Sequence, residues 1–83
     1  MNKLLVIVYV PLLGEHYDIF IPINKKIGTI KKIIIDTINE LSENSIDNPD
    51  NLRLYNKEDG KIYDNNIYVK NSNIVNGTIL MLL

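Results

Sequence analysis

The chain has 83 residues, is 46% hydrophobic and carries a net charge of −1. This apolar fraction supports a packed core and excludes disorder, and the length predicts a single domain spanning residues 1–83. A net charge this small produces no overall electrostatic attraction to nucleic acid or acidic lipid. The lack of cysteine excludes disulfides, thiol catalysis, iron–sulfur ligation and cysteine-based zinc sites.

The longest apolar stretch runs from Leu4 to Leu13. It has about half of the roughly 20 residues that a membrane span requires, and Pro11 interrupts it. It also lacks the small-residue cleavage site of a signal peptide. The sequence therefore predicts a cytoplasmic protein without direct membrane insertion.

Two strands are predicted to open the chain as a hairpin. Residues 3–10 are apolar on both alternating sets, as in a central strand that is covered on both faces. A turn signal with Gly14 follows, and residues 16–23 alternate between two faces. Pro22 predicts an edge position for this second strand, because proline has no amide hydrogen for a sheet ladder.

Between Gly28 and Ser42 the period changes to about 3.6 residues, which predicts an amphipathic helix. Gly28 or Thr29 is the expected N-cap. Isoleucine is a mediocre helix former, so packing against the hairpin must hold the helix. The predicted apolar stripe consists of Ile27, Ile30, Ile34, Ile38 and Leu41.

Three short strands are predicted in the second half, at residues 51–55, 61–63 and 78–83. The irregular segment 64–75 is expected to place Ile67, Val69 and Ile74 in the core. The first and last strands have the most two-sided hydrophobicity, so they should lie side by side and parallel at the sheet centre. The order β-β-α-β-β-β predicts an α+β fold of the β-grasp type, a mixed sheet with one helix packed on one face.

The sequence resembles ubiquitin-like proteins over nearly its whole length. Residues 53–61, with the sequence Arg-Leu-Tyr-Asn-Lys-Glu-Asp-Gly-Lys, resemble the strand-turn-strand that follows the helix of ubiquitin, and residues 73–80 resemble the opening of its last strand. Residues 17–22, residues 30–34 and Asn76-Gly77 more narrowly resemble the YukD/EsaB family, small accessory proteins of bacterial type VII secretion systems.

This resemblance implies a non-enzymatic accessory or regulatory component of a type VII (WXG-type) secretion system, with no cofactor and no catalytic residues to carry over. In larger relatives such a domain sits on a membrane component and contacts the secretion ATPase. Either of these is the implied protein partner, with recruitment to the inner face of the cell membrane. Self-association as a homodimer is the other expected association, and nucleic acid is not an expected partner.

A sulfur carrier or conjugated modifier is the alternative function within this fold. Such proteins are activated at a mobile tail that ends in two glycines. The sequence ends in the apolar run 78–83, which lacks that tail. This alternative is therefore disfavoured.

Catalytic and metal sites are poorly supported by the sequence. His16 is the single histidine, and its neighbours Glu15, Tyr17 and Asp18 are expected to alternate across a strand instead of converging on it. His16 is therefore interpreted as a solvated hairpin residue. The acidic residues lack the spacing of a calcium loop and are interpreted as turn and loop formers. They are Asp47, Asp50, Glu58 and Asp59.

Four lysines surround the predicted start of the helix, namely Lys25, Lys26, Lys31 and Lys32. The helix macrodipole disfavours each of them there by a few tenths of a kcal/mol. Local helix energetics therefore does not explain the cluster. It is either a basic patch for an acidic partner or, as is more usual for such clusters, a solvated face.

The strongest candidate site is the sheet face that the helix leaves open. If Leu5, Ile7 and Tyr9 point inward, the opposite residues form an outward apolar surface for a partner. That predicted surface consists of Val6, Val8, Phe20, Tyr55, Leu80 and Leu82. Replacing Val8 and Leu82 with lysine should then abolish association and leave the fold intact.

Two alternatives stay open for this face. A strand register shifted by one residue would exchange the two faces. Because both sets of side chains are apolar, an apolar open face would survive that exchange. In the other alternative, segment 64–75 folds over part of the face.

Overall fold

The computed structural model describes residues 2–42, 46 and 49–83, so Asp47 lies outside the described residues. Its regular elements, in chain order, are β1 (Lys3–Val10), β2 (Glu15–Pro22), α1 (Ile27–Leu41), a 3-10 helix at Pro49–Asn51, β3 (Leu54–Asn56), a 3-10 helix at Val69–Asn71 and β4 (Ile79–Leu82). No helix in this part of the chain is long and apolar enough to cross a membrane.

The strands form one mixed sheet in the order β2-β1-β4-β3. β1 is antiparallel to β2 and parallel to β4, and β3 is antiparallel to β4. This arrangement confirms the predicted β-grasp fold, with the first and last strands adjacent and parallel at the centre. It also confirms the edge position of β2. The return strand predicted at 61–63 is reduced to an isolated bridge between Tyr55 and Ile62.

The hairpin turn fixes the register of β1 on β2. Val10 pairs with Glu15, so the turn spans residues 11–14. Gly14 has a φ of 65°, a left-handed conformation that glycine adopts without steric cost. Its amide donates to the Val10 carbonyl at 2.9 Å and closes the turn. Every later pair in the hairpin follows from this closure.

The helix begins one residue earlier than predicted, at Ile27, and its N-cap is Lys26 instead of Gly28 or Thr29. A capping side chain is not needed, because the segment after residue 63 supplies acceptors for the first amides. The Ile27 amide donates to the Ile67 carbonyl at 2.9 Å, and the Gly28 amide donates to the Asn65 carbonyl at 3.0 Å. Tertiary contacts therefore determine where this helix starts.

The helix packs a stripe of isoleucines onto the sheet, with one difference from the predicted stripe. Ile27, Ile30, Ile34 and Ile38 are fully buried, but Leu41 is 64% exposed and Ile35 is buried. Leu41 is the last residue of the helix. Val69 and Ile74 enter the core as predicted, and the prediction that Ile67 does so was wrong, since its side chain is exposed.

The central strands turn the opposite face toward the helix from the one predicted. The prediction that Val6, Val8, Leu80 and Leu82 point outward was wrong, because all four are fully buried in the core. Ile19 pairs with Val6 in β1, and paired residues share a face, so the burial of Ile19 fixes that of Val6. An apolar open face nevertheless survives, as anticipated for a one-residue shift.

Candidate interaction surfaces

The sheet face opposite α1 carries a continuous apolar surface, called the open-face cluster below. Its members are Leu5, Ile7, Tyr9, Phe20, Tyr55, Ile79 and Met81. Cross-strand pairs join them: Ile7 with Ile79, Tyr9 with Met81, and Met81 with Tyr55. Their neighbours along each strand point into the core, so these side chains point away from α1.

Two members of the open-face cluster stay largely accessible. Phe20 is 59% exposed and Ile79 is 40% exposed. Segment 64–75 therefore does not cover their part of the face. Phe20 pairs with the half-buried Leu5 in the hairpin, which extends the apolar surface from the sheet centre to the β2 edge. Contiguous apolar surface of this kind, bordered by polar residues, marks interaction sites in soluble proteins.

Basic and aromatic groups border the cluster around Tyr9. The His16 ring stacks on the Tyr9 ring with a centroid distance of 4.6 Å and an interplanar angle of 28°. The Lys57 Nζ lies 5.7 Å from the centroid of the same ring. Contacts of this type contribute about 0.5–1 kcal/mol at exposed sites and restrict the ring orientation. The open face thus presents an oriented tyrosine beside positive charge.

The four lysines near the helix start do not act as one group. Lys31 Nζ donates to the Leu52 carbonyl at 3.0 Å, and Lys26 Nζ lies 6.0 Å from the Tyr68 ring centroid. A depression of about 550 Å³ has Lys26, Lys31 and Lys32 in its lining, but Asp36 and Asp50 line it too. Two of the four lysines therefore have local partners, and acidic residues offset the charge.

The amides at the start of α1 are not available to an anion. Those of Ile27 and Gly28 donate to the carbonyls of the segment after residue 63, and those of Thr29 and Ile30 both donate to the Lys26 carbonyl at 3.0 Å. An anion site at a helix N-terminus requires free amides. The lysine cluster therefore has no helix-end site to support it.

His16 and Asp18 lie on the same face of β2, contrary to the expectation that the neighbours of His16 diverge from it. Both are exposed residues two positions apart, on the side of the open-face cluster. Within the described residues, no group of three or more His, Asp or Glu side chains could hold a metal ion. Glu58 and Asp59 lie in a turn, as predicted, where Asp59 Oδ1 accepts the Lys61 amide at 2.9 Å.

A polar network that the sequence did not reveal surrounds the buried Asn56 at the end of β3. Asn56 Oδ1 accepts the amides of Glu58 at 2.8 Å and Asp59 at 3.3 Å, while its Nδ2 donates to Tyr63 Oη at 3.0 Å. Tyr63 Oη donates in turn to Asn73 Oδ1 at 2.6 Å. The network joins the turn after β3 to the segment that precedes β4.

No family model and no curated protein matches the sequence. Solved structures match it in fold. The N-terminal ubiquitin-like domain of the 4931431F19Rik protein is 21% identical with a TM-score of 0.71, over 99% of this chain and 74% of that chain. The fold is ubiquitin-like.

Two further matches show how widely this fold is used. A chain of the MycP5-free ESX-5 inner membrane complex is 15% identical with a TM-score of 0.75, over 100% of this chain and 21% of that one. A chain of the toluene 4-monooxygenase HD complex with 4-bromobenzoate is 5% identical with a TM-score of 0.76, over 96% and 95%. Likeness at these identities establishes the fold and leaves function to the surface.

On this ubiquitin-like scaffold, Phe20 and Tyr55 lie on the open face as predicted. Sequence reasoning missed the other five members of the cluster, on β1 and β4. The length of the hairpin turn could have identified them, because it sets the register of β1 on β2. A four-residue turn at 11–14 pairs Val10 with Glu15, and the same register pairs Val6 with Ile19. The polar alternation of β2 would then have assigned the faces of β1.

Tyr63 makes the folding stability of the ubiquitin-like domain depend on pH in the alkaline range. Burial raises the pKa of Tyr63 above 10.0, the Asn56 hydrogen bond lowers it, and the Asp59 charge raises it. The folded state thus retains the phenol proton more strongly than the unfolded state. The associated stability is fully present below pH 10 and is lost as the pH rises toward the folded-state pKa.

Replacing Tyr63 with phenylalanine should lower the free energy of unfolding by about 0.5–1.5 kcal/mol at pH 7, since its hydroxyl hydrogen bonds are lost. The same change should make stability less sensitive to pH above 10. Urea unfolding across this range measures both effects. Tyr68→Phe is the control, because Tyr68 is exposed. This variant should still lose stability at alkaline pH, as the wild type does. An unchanged alkaline slope in Tyr63→Phe would contradict the assignment.

Proposed function

We propose that the protein is a non-enzymatic interaction module that docks onto a component of a bacterial type VII secretion system through its open-face cluster. The observation that carries this proposal is the continuous apolar surface with Phe20 and Ile79 exposed. The partner is the secretion ATPase or a membrane component of the machinery. The protein then acts as one domain, cytoplasmic and recruited to the inner face of the cell membrane.

Two further observations support the proposal. A domain of this shape is part of a chain in the ESX-5 inner membrane complex. The open-face cluster also combines tyrosine, phenylalanine and methionine with basic groups at its border, and the central parts of protein interfaces are enriched in these aromatic and Met residues. The lysine cluster at the helix start is a second, weaker basic surface on the same molecule.

Binding should depend on the centre of the open-face cluster. Met81 pairs with Tyr9 on one side and with Tyr55 on the other, so it occupies that centre. Met81→Lys should weaken binding to the partner by about tenfold to a hundredfold, which corresponds to the loss of one central contact. The measurement is the dissociation constant for the purified cytoplasmic part of the secretion ATPase or membrane component from the same genome.

Leu41→Lys is the control, since Leu41 is also an apolar residue but lies at the end of α1, where it is 64% exposed and thus more accessible than the half-buried Met81. It should leave the dissociation constant unchanged, and circular dichroism should show both variants folded. Equal binding by Met81→Lys and the wild type would refute docking through this face. Sedimentation of the protein alone distinguishes the alternative that the open face is covered by a second copy of this chain.

A further inference from the structure

The outer edge of β2 is unpaired in the part of the chain that the structure describes. Past the end of β2, the Ile23 amide donates to the Asn2 carbonyl at 3.0 Å. Alternate residues of an antiparallel strand share this orientation, so the odd-numbered residues of β2 bond to β1. The amides and carbonyls that point away from the sheet belong to His16, Asp18 and Phe20, and none of the described residues bonds to them.

This edge lacks most of the features that protect sheet edges. Natural edges are kept short or carry lysine, proline or bulges. The opposite edge strand, β3, has three residues and is bridged by Ile62, whereas β2 has eight residues and no lysine. Pro22 blocks only its final position. The stretch from residue 15 to residue 20 is therefore open to another strand.

We propose that two copies of this chain pair through their β2 edges, antiparallel and with Tyr17 opposite Tyr17. The register then places His16 of each copy opposite Asp18 of the other, on the same face of the joined sheet. About four backbone hydrogen bonds form between the His16 and Asp18 positions. Two imidazole–carboxylate contacts accompany them.

Charge and proline disfavour the two registers that are shifted toward the end of β2. A shift that centres the pair on Asp18 sets two carboxylates opposite each other, and like charges directly opposite are destabilising. A shift that centres it on Ile19 brings Pro22 into the ladder opposite His16, where proline has no amide to donate. In the proposed register Pro22 stays outside, and Phe20 lies opposite Gly14, which has no side chain to obstruct it.

The same complementarity favours a second copy over a strand from another protein. His16 and Asp18 each present the group that the other requires, so one sequence satisfies both sides of a two-fold contact. Pairing also joins the two open faces side by side, because His16 and Asp18 border the open-face cluster. The dimer contact uses the main chain of β2, so it is independent of docking through Met81.

A charge exchange tests the pairing. Asp18→Lys removes the carboxylate that lies opposite each His16 and should weaken dimerisation by about tenfold, since both imidazole–carboxylate contacts are lost. The double variant His16→Glu with Asp18→Lys places a carboxylate opposite an ammonium group across the edge and should restore dimerisation. Sedimentation velocity over a range of protein concentrations measures the dimer constant. Both positions are exposed, so the variants should fold.

Hydrogen exchange identifies the surface that pairs. In the wild type, the amides of His16 and Asp18 should exchange more slowly as the protein concentration rises. A protein that stays monomeric overturns the proposal, as does a dimer that Asp18→Lys leaves unchanged or that the double variant does not restore. Unprotected edge amides in a dimer also overturn it. Met81→Lys should leave the dimer intact, which separates this result from the proposed docking function.

Discussion

Replacing Val8 with lysine should unfold the protein, whereas replacing Ile7 with lysine should leave it folded. Val8 is fully buried on the helix side of β1, in a core cluster whose described members are all apolar. An uncompensated buried charge costs about 3–5 kcal/mol. A small domain has a total stability of about 5–15 kcal/mol and tends toward the lower end of that range. Most of the stability should therefore be lost.

Ile7→Lys is the matched comparison, because the two residues are adjacent, β-branched and on the same strand. Ile7 is only partly buried and lies on the open face, so a lysine there can extend its ammonium group into water. Its cost should stay below about 1 kcal/mol. Thermal unfolding followed by circular dichroism compares the two. A folded Val8→Lys and an unfolded Ile7→Lys would mean that the faces of β1 are reversed.

The contrast between Val8 and Ile7 also corrects the expectation drawn from the sequence. Lysine at Val8 and Leu82 was expected to abolish association without harming the fold. Both residues belong to the core, so a loss of binding in those variants would report unfolding. Substitutions at Ile7 and Met81 test the open-face cluster instead.

The sequence predicted best where polar and apolar residues alternate. In β2, the charged Asp18 and the polar His16 mark the solvent side, so Phe20 was correctly assigned outward and Ile19 inward. The helix and the strand order followed from equally clear periodicity. In β1 and β4 both sets of positions are apolar, and hydrophobicity alone cannot distinguish the faces of such strands.

Other features depended on contacts between distant segments. The start of α1 is set by the Asn65 and Ile67 carbonyls, which lie almost forty residues further along the chain. The N-cap preference of Gly28 or Thr29 could not anticipate them. The network of Asn56 likewise joins segments that periodicity treats as separate, and a turn-forming asparagine carries no sign that its side chain is buried.

Replacing Asn56 with alanine should lower the free energy of unfolding by about 2–3 kcal/mol. Asn56 is 9% exposed and serves the amides of Glu58 and Asp59 as well as the Tyr63 hydroxyl. Removing it takes the side-chain acceptor from the two turn amides and one donor from the Tyr63 hydroxyl, which keeps Asn73 as a partner. Each unsatisfied buried group costs about 1–3 kcal/mol, reduced where water can reach it. Urea unfolding at pH 7 gives the difference directly.

Asn71→Ala is the control, because Asn71 is exposed and its side chain makes no hydrogen bond to any of the residues that the structure describes. Its effect should stay within about 0.5 kcal/mol. Equal effects of the two substitutions would show that the Asn56 network contributes nothing beyond loss of an asparagine.

Combining Asn56→Ala with Tyr63→Phe separates the network from its parts. Both changes remove the same Nδ2–Oη hydrogen bond, so the double variant should lose less stability than the two single variants added together.

The network can also affect the open face, since Tyr55 is adjacent to Asn56 on β3 and points to the other side of the sheet. If the network holds β3 in place, Asn56→Ala should weaken partner binding through Tyr55 even at temperatures where the protein is fully folded. Binding that is unchanged under those conditions would confine the network to stability.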